Sequence, residues 1–251
     1  MRKIKRLTLT LCLLAMGLAA SAQPTPRHKL APTPPMGWMT WNLFKGDISD
    51  QLIRETADAM VENGFVAAGY KYIFIDDLWQ GGRDRHNNII PDPKKFPHGI
   101  KALADSVHSK GLKLGIYSDA AQLTCGGWTA SLGFEEQDAR TFASWGINYL
   151  KYDYCNAPED SATARRRYKR MADALQHSGR DIVLGICEWG QRQCEEWCES
   201  VGGQLWRTSY DVRDMWKDIV GQGGMGILDI VNVTAPIAHN ARHGQWPDMD
   251  M

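Results

Sequence analysis

Short apolar runs alternate with amphipathic stretches from Met36 onward, at a spacing of roughly 35–40 residues, and few folds accommodate that rhythm. The apolar runs predict strands at Met36–Trp41, Tyr72–Asp77, Leu112–Ser118, Asn148–Asp153, Ile182–Cys187, Gln204–Ser209 and Trp246–Met251. Between them, helical periodicity is expected over Asp50–Asn63, Ile100–Lys110, Phe134–Trp145, Ala162–Ser178 and Gln191–Ser200, with two further stretches within Val212–Asn240. Strand, loop, helix, repeated, specifies βαβ units and a parallel sheet. A doubly wound sheet would carry a glycine-rich phosphate loop after its first strand, and Met36-Gly-Trp-Met-Thr-Trp41 has none. A (β/α)8 TIM barrel instead sets polar residues at the C-terminal tips of many strands. They are there: Trp41, Asp76 and Asp77, Tyr117 and Asp119, Lys151 and Asp153, Cys187 and Glu188, Arg207 and Asp211, Asp248 and Asp250. The expected class is therefore α/β, a (β/α)8 barrel over residues 36–251. Seven strands are predicted, so the barrel is expected to be truncated after the seventh, unless an eighth lies within Ile227–Val233.

Other features bound the function. Formal net charge is zero, which argues against nucleic acid or an anionic membrane surface as partner. Ten Trp lean towards carbohydrate, because the flat indole suits the C–H face of a pyranose, although core packing accounts for most of them. Arg2, Lys3, Lys5 and Arg6, then an apolar run from Leu7 to Leu18 and Ala20-Ser21-Ala22, have the form of a signal peptide over residues 1–22. A Pro-rich lead-in over 23–35 follows. An exported protein with no membrane anchor after cleavage is expected. The five cysteines beyond the leader are an odd number, so at least one is unpaired. The seven His show no ligand spacing, and neither a metal nor a cofactor is expected.

Asp153 ends an alternating strand with Lys151 two residues upstream on the same face. A cation there would keep the carboxylate ionised and nucleophilic. Asp211 follows another strand, beside Tyr210 and near Trp206, where partial desolvation would favour the protonated form. Two carboxylates on one rim, one ionised and one protonated, are what glycoside hydrolysis requires. Asp211 could equally cap a helix starting at Val212. Asp76-Asp77 could accept bonds from vicinal sugar hydroxyls, hold Mg²⁺, or form a solvated turn.

Six ordered motifs resemble glycoside hydrolase family 27, the α-galactosidase clan: Met36-Gly-Trp-Met-Thr-Trp41, Phe74-Ile-Asp-Asp-Leu-Trp79, Gly111-Leu-Lys-Leu-Gly-Ile-Tyr-Ser-Asp119, Leu150-Lys-Tyr-Asp-Tyr-Cys155, Cys187-Glu-Trp-Gly190 and Trp206-Arg-Thr-Ser-Tyr-Asp211. The resemblance implies a retaining exo-glycosidase releasing terminal α-linked galactose, with Asp153 as nucleophile and Asp211 as acid/base. It implies that Trp41 packs on the sugar, that Asp76 and Asp77 bind O6 and O4, and that Lys151 binds O3 and O4. Glu188 and Arg207 would reach the O2/O3 side, Tyr117 would line the pocket, and Asp250, in Trp246-Pro-Asp-Met-Asp-Met251, would be a further pocket residue. A Cys125–Cys155 disulfide beside the nucleophile is implied too. Glu188 stands where α-N-acetylgalactosaminidases carry small residues, which favours galactose; that sister specificity is the alternative, and an inactive sugar-binding fragment a second. Cys187 lacks its usual partner, because Gly203 stands in its place, and is either free or paired with Cys194 or Cys198. The family's C-terminal antiparallel β domain is not expected in this chain, and no oligomeric state can be read.

Overall fold

The computed structural model describes residues 29–218 and 223–250, so the leader and residues 23–28 of the Pro-rich segment lie outside the described residues. Seven strands form one parallel sheet: β1 (Gly37–Met39), β2 (Tyr72–Ile75), β5 (Lys113–Asp119), β6 (Tyr149–Asp153), β7 (Val183–Cys187), β8 (Leu205–Arg207) and β9 (Trp246–Asp248), hydrogen-bonded in that order. All seven lie where the apolar runs place them. Residues of β1, β8 and β9 line one cavity, so the sheet curls until its first and last strands face a common interior. This is the curled, α/β barrel-type sheet the repeat demands. Among the described residues, β1 and β9 pair with no strand on their outer sides. Ile227–Val233 is not an eighth strand: it lies in helix α7 (Ile227–Thr234), continued by a 3-10 turn over Ala235–Asn240 with Pro236 at its start.

The strands read as continuous apolar runs because both faces are covered. Outward residues Ile73, Ile75, Leu114, Ile116, Leu150, Leu184 and Ile186 join one core with the helices α2 (Asp50–Glu62), α3 (Gly99–Ser109), α4 (Glu135–Trp145) and α5 (Ser161–Gln176). Those helices carry local signals: Ser49 caps α2 by accepting from Leu52 N–H at 3.1 Å, and Asp160 caps α5 by accepting from Thr163 N–H at 2.7 Å. Inward, Tyr72 stacks on Phe74 at 5.4 Å between ring centroids, and Phe74 meets Tyr149 edge-on at 4.8 Å. Gly115 and Gly185 make room for this layer, since a Cβ on either would run into Phe74 or Tyr149.

Three segments depart from expectation. A hairpin of β3 (Gln80–Arg83) and β4 (Ile89–Pro91) interrupts the connection from β2 to α3. It is docked by Arg83, which donates to Asp138 at 2.7 Å and to the Ala130 carbonyl at 2.8 Å, and lies 4.0 Å over the Phe134 ring. The helix expected over Gln191–Ser200 shrinks to α6 (Cys194–Trp197). No helix begins at Val212, so Asp211 is not a cap. A short α1 (Trp41–Phe44) directly after β1 carries Trp41 to the rim.

Candidate active site

β2 ends at Ile75 because side chains take over from the ladder: Asp76 N–H donates to Thr40 Oγ1 at 3.0 Å, and Asp77 N–H to Asp76 Oδ1 at 2.7 Å. Leu78 N–H and Gly126 N–H donate to the two oxygens of Asp77 at 2.7 and 2.8 Å. Both carboxylates are thereby fixed at the strand tip with lone pairs to spare. Cys125 and Cys155 are disulfide-bonded, Cα to Cα 5.1 Å, and tie the loop after β5 to the tip of β6. Cys187, Cys194 and Cys198 are free and buried, which settles the open pairing.

These tips open into one cleft of about 480 Å³. Trp41, Asp76, Asp77, Tyr117, Lys151, Asp153 and Asp211 all line it, with both disulfide cysteines at its edge. Asp153 is buried and held at both oxygens: Tyr117 Oη donates to Oδ2 at 2.9 Å, and Tyr154 N–H to Oδ1 at 2.9 Å. Burial pushes Asp153 up to about 6, against Lys151, the Tyr154 N–H and the Tyr117 hydroxyl. Lys151 does not bond Asp153; its Nζ pairs with Asp76 Oδ2 at 2.8 Å. Lys151 therefore acts on Asp153 at longer range, with hydrogen bonds as the near contacts. Burial alone would push Lys151 down, but the negative groups around it, Asp76 first and then Cys187 and Asp250, together hold the ammonium well above the usual lysine range. Burial, then Asp153, raises Tyr117, so its hydroxyl stays a neutral donor.

Asp211 sits otherwise than expected. Trp206 turns into the core, while the Asp211 side chain is 33% exposed and accepts from Arg207 Nη2 at 3.2 Å. The apolar enclosure read from its neighbours is not there, because alternation along β8 sends Trp206 to the helix side and Arg207 inward.

Three expected site residues do not line the cleft. Arg207 and Asp250 line an adjoining interior cavity of about 260 Å³. They form a buried pair, Arg207 Nη1 to Asp250 Oδ1 at 2.6 Å, and Asp250 Oδ2 accepts from Val212 N–H at 2.7 Å. Both are occupied in holding the Asp211 segment. Glu188 is displaced by one residue of register. Cys187 is in register with Asp153 and turns inward beside Arg207, so the next residue points to the opposite face. Glu188 is fully buried there and pairs with Arg192 Nη1 at 2.6 Å. Burial raises its carboxyl to about 7, against the pull of Arg192.

Trp189, Tyr210 and Glu159 line the cleft without having been assigned to it, and Arg192 lines it beside them. Arg192 lies over the Tyr154 ring at 4.9 Å and reaches the Glu159 carboxylate at 3.3 Å. Trp189, Arg192 and Gln193 all take positive φ, a backbone that side chains adopt only under constraint. The adjacent Cys187-Glu188 motif was the signal for Trp189; nothing in the loop sequence marks Glu159. Among the described residues, the group closest to metal-ligand geometry is Asp119, Cys125, Asp153 and Cys155, whose two sulfurs are already joined to each other. No helix of the described residues is long and apolar enough to cross a membrane.

The chain is similar to known proteins over nearly all of its length. The sequence profile of the family described as Alpha galactosidase A matches residues 33–251. Alpha-galactosidase A of Cellvibrio japonicus is 47% identical over 241 residues, covering 95% of this chain and 58% of that protein. Alpha-galactosidase of Coffea arabica is 53% identical over 192 residues, 76% of this chain and 50% of that protein. A solved α-galactosidase from Saccharomyces cerevisiae with raffinose superposes with a TM-score of 0.85 at 36% identity, covering 90% of this chain and 54% of that one. The chain thus spans between about half and three-fifths of the length of these relatives. Profile, relatives and barrel-type sheet agree: this chain belongs to the alpha galactosidase A family, glycoside hydrolase family 27.

Proposed function

We propose that the protein is an exported, retaining α-galactosidase that removes terminal α-linked galactose from oligo- or polysaccharides. The carrying observation is the presence of Asp153 and Asp211 on one cleft in a chain of this family. Asp153 attacks the anomeric carbon while Asp211 gives a proton to the departing glycosidic oxygen, leaving galactose joined to Asp153 as an ester. Asp211 then takes a proton from water as that water attacks the same carbon, and galactose leaves with its α configuration kept. Asp76 and Asp77 accept bonds from O6 and O4, Lys151 donates to O3 and O4, and Trp41 packs on the ring. An axial O4 bonded to a buried carboxylate selects galactose over its equatorial epimer, which would leave that carboxylate unpaired. Arg207 and Asp250 act through Asp211 rather than on the sugar. With Glu188 off the wall, discrimination at C2 falls to Trp189 and Arg192, which line the cleft. The raffinose in the yeast structure's description supports a substrate of that type. The leader-like segment over residues 1–22 supports export.

The test is hydrolysis of 4-nitrophenyl α-galactoside by the full-length protein, with the first-formed anomer followed by NMR. α-Galactose is expected first, and at a rate well above that on the α-N-acetylgalactosaminide. Initial β-galactose would refute retention; equal or reversed rates would refute the specificity.

A further inference from the structure

Asp119 closes β5 in register with Asp153 at the end of β6. It is fully buried, and both of its oxygens accept main-chain bonds: Oδ1 from Ala121 N–H at 2.8 Å, Oδ2 from Cys155 N–H at 2.9 Å. One of its carboxylate oxygens lies within 4.8 Å of a carboxylate oxygen of Asp153. Cys125 Sγ sits beside the pair, 3.3 Å from Asp153 Oδ2 and 4.0 Å from Asp119 Oδ2. The two-carboxylate reaction leaves this third acid without a role.

We propose that Asp119 is a positioning residue for the nucleophile, fixing the tip of β6 through the Cys155 N–H and serving as the neutral, proton-bearing member of the Asp119–Asp153 pair. The inference rests on Asp153 being the nucleophile. Two carboxylates this close in a buried site do not both ionise readily. Charged and titratable groups surround them on every side: Asp76 and Asp77 after β2, Tyr117 on β5, Lys151 and Tyr152 on β6, Cys187 and Glu188 at the end of β7, and Tyr168 from α5. Lys151 is the cation that acts on Asp153, and it leans on that side of the pair. Burial, then Asp153, drives Asp119 well above the usual carboxylate range, although the two N–H bonds oppose this. The proton rests on Asp119, and Asp153 is left ionised to attack.

An acid whose folded-state proton affinity is raised stabilises the fold at low pH, and that stability is lost as pH rises from its unfolded value through the raised one. In the full-length protein, Asp119→Asn is a neutral isostere that still accepts one N–H. It is expected to keep kcat/KM on 4-nitrophenyl α-galactoside within about tenfold, with the acid limb moved by no more than about 0.3 pH unit. It is also expected to flatten the fall in thermal midpoint that the unsubstituted protein shows as pH rises above about 4. Asp119→Ala accepts neither bond, and kcat is expected to drop about 100-fold with KM nearly unchanged, the cost of a displaced reacting group. Where Asp119→Ala does not fold, Asp119→Ser is read by the same kinetic criterion. An acid limb displaced by about a full pH unit in the Asn variant would make Asp119 the charged partner and overturn the proposal. So would unchanged kcat in the Ala variant. A slow fluorinated α-galactoside that leaves a stable ester, located by mass spectrometry in the unsubstituted protein, separates the two levels. A label away from Asp153 overturns the assignment of the nucleophile. A label on Asp153 with unaltered Ala kinetics overturns the role of Asp119 alone.

Discussion

Asp153 is placed by its neighbours' hydrogen bonds more than by any formal ion pair, and this makes Tyr117 a sensitive probe of the site. The Tyr117 hydroxyl donates to Asp153 Oδ2 and so favours the charged carboxylate. Tyr117→Phe removes that donor without changing the ring, so the proton affinity of Asp153 rises. The acid limb of kcat/KM is expected to move to higher pH by about half a unit to one unit, with activity lost more steeply near pH 5 than near pH 7. A pH–rate series on the two proteins checks this; a limb that moves the other way contradicts it. Residue-scale reading of the sequence expected Asp76, Asp77, Lys151 and Asp153 at strand tips, and the structure brings all four to one cleft. It failed for Glu188 because side chains alternate with a period of two, and a slip of one position reverses the face. It also could not tell Arg207 and Asp250, which bond each other and brace Asp211, from residues that touch a sugar. Reach and partnership are three-dimensional quantities.

At the scale of elements, the disulfide joins two loops whose strands both end in site residues. Closing a loop across a sequence separation of 30 removes freedom from the unfolded chain worth about 3–4 kcal/mol. Replacing both Cys125 and Cys155 with Ser is expected to lower stability by about that amount, and to reduce kcat more than KM, because the tip of β6 loses its tether. Urea midpoints and kinetics of the double variant check it, and an unchanged midpoint would count against the bond as a constraint. The main strands were legible because burial on both faces writes unbroken apolar runs. The β3–β4 hairpin was not: Gln80-Gly-Gly-Arg83 has neither alternation nor β-branched residues, and it is held by Arg83 on α4 rather than by its own propensity. The short α6 fell for a similar reason, since the loop before it spends Trp189, Gly190, Arg192 and Gln193 in left-handed backbone.

At the scale of the molecule, order in the sheet decides where rigidity lies. β5, β6 and β7 have paired neighbours on both sides and carry Tyr117, Asp119, Lys151 and Asp153, whereas β1 and β9 are paired on one side only among the described residues. Amide hydrogen exchange is expected to be slowest in β5–β7 and measurably faster in β1 and β9, with Asp153 on the slow side of that gradient. Uniform protection across all seven strands would contradict it. The parallel architecture was readable from periodicity alone, and the curl of the sheet from the polar residues massed at one end of the strands. The division of the interior into a sugar-sized cleft and a neighbouring cavity braced by Arg207 and Asp250 emerged only with side chains in place. The proposed reaction depends above all on Asp153 making the bond to galactose. The most direct measurement is azide rescue of Asp153→Ala in the full-length protein with 4-nitrophenyl α-galactoside. Azide entering the emptied space attacks from the face opposite the leaving group, so restored turnover with β-galactosyl azide as product is predicted. No restored turnover, or galactosyl azide of the α configuration, would contradict it.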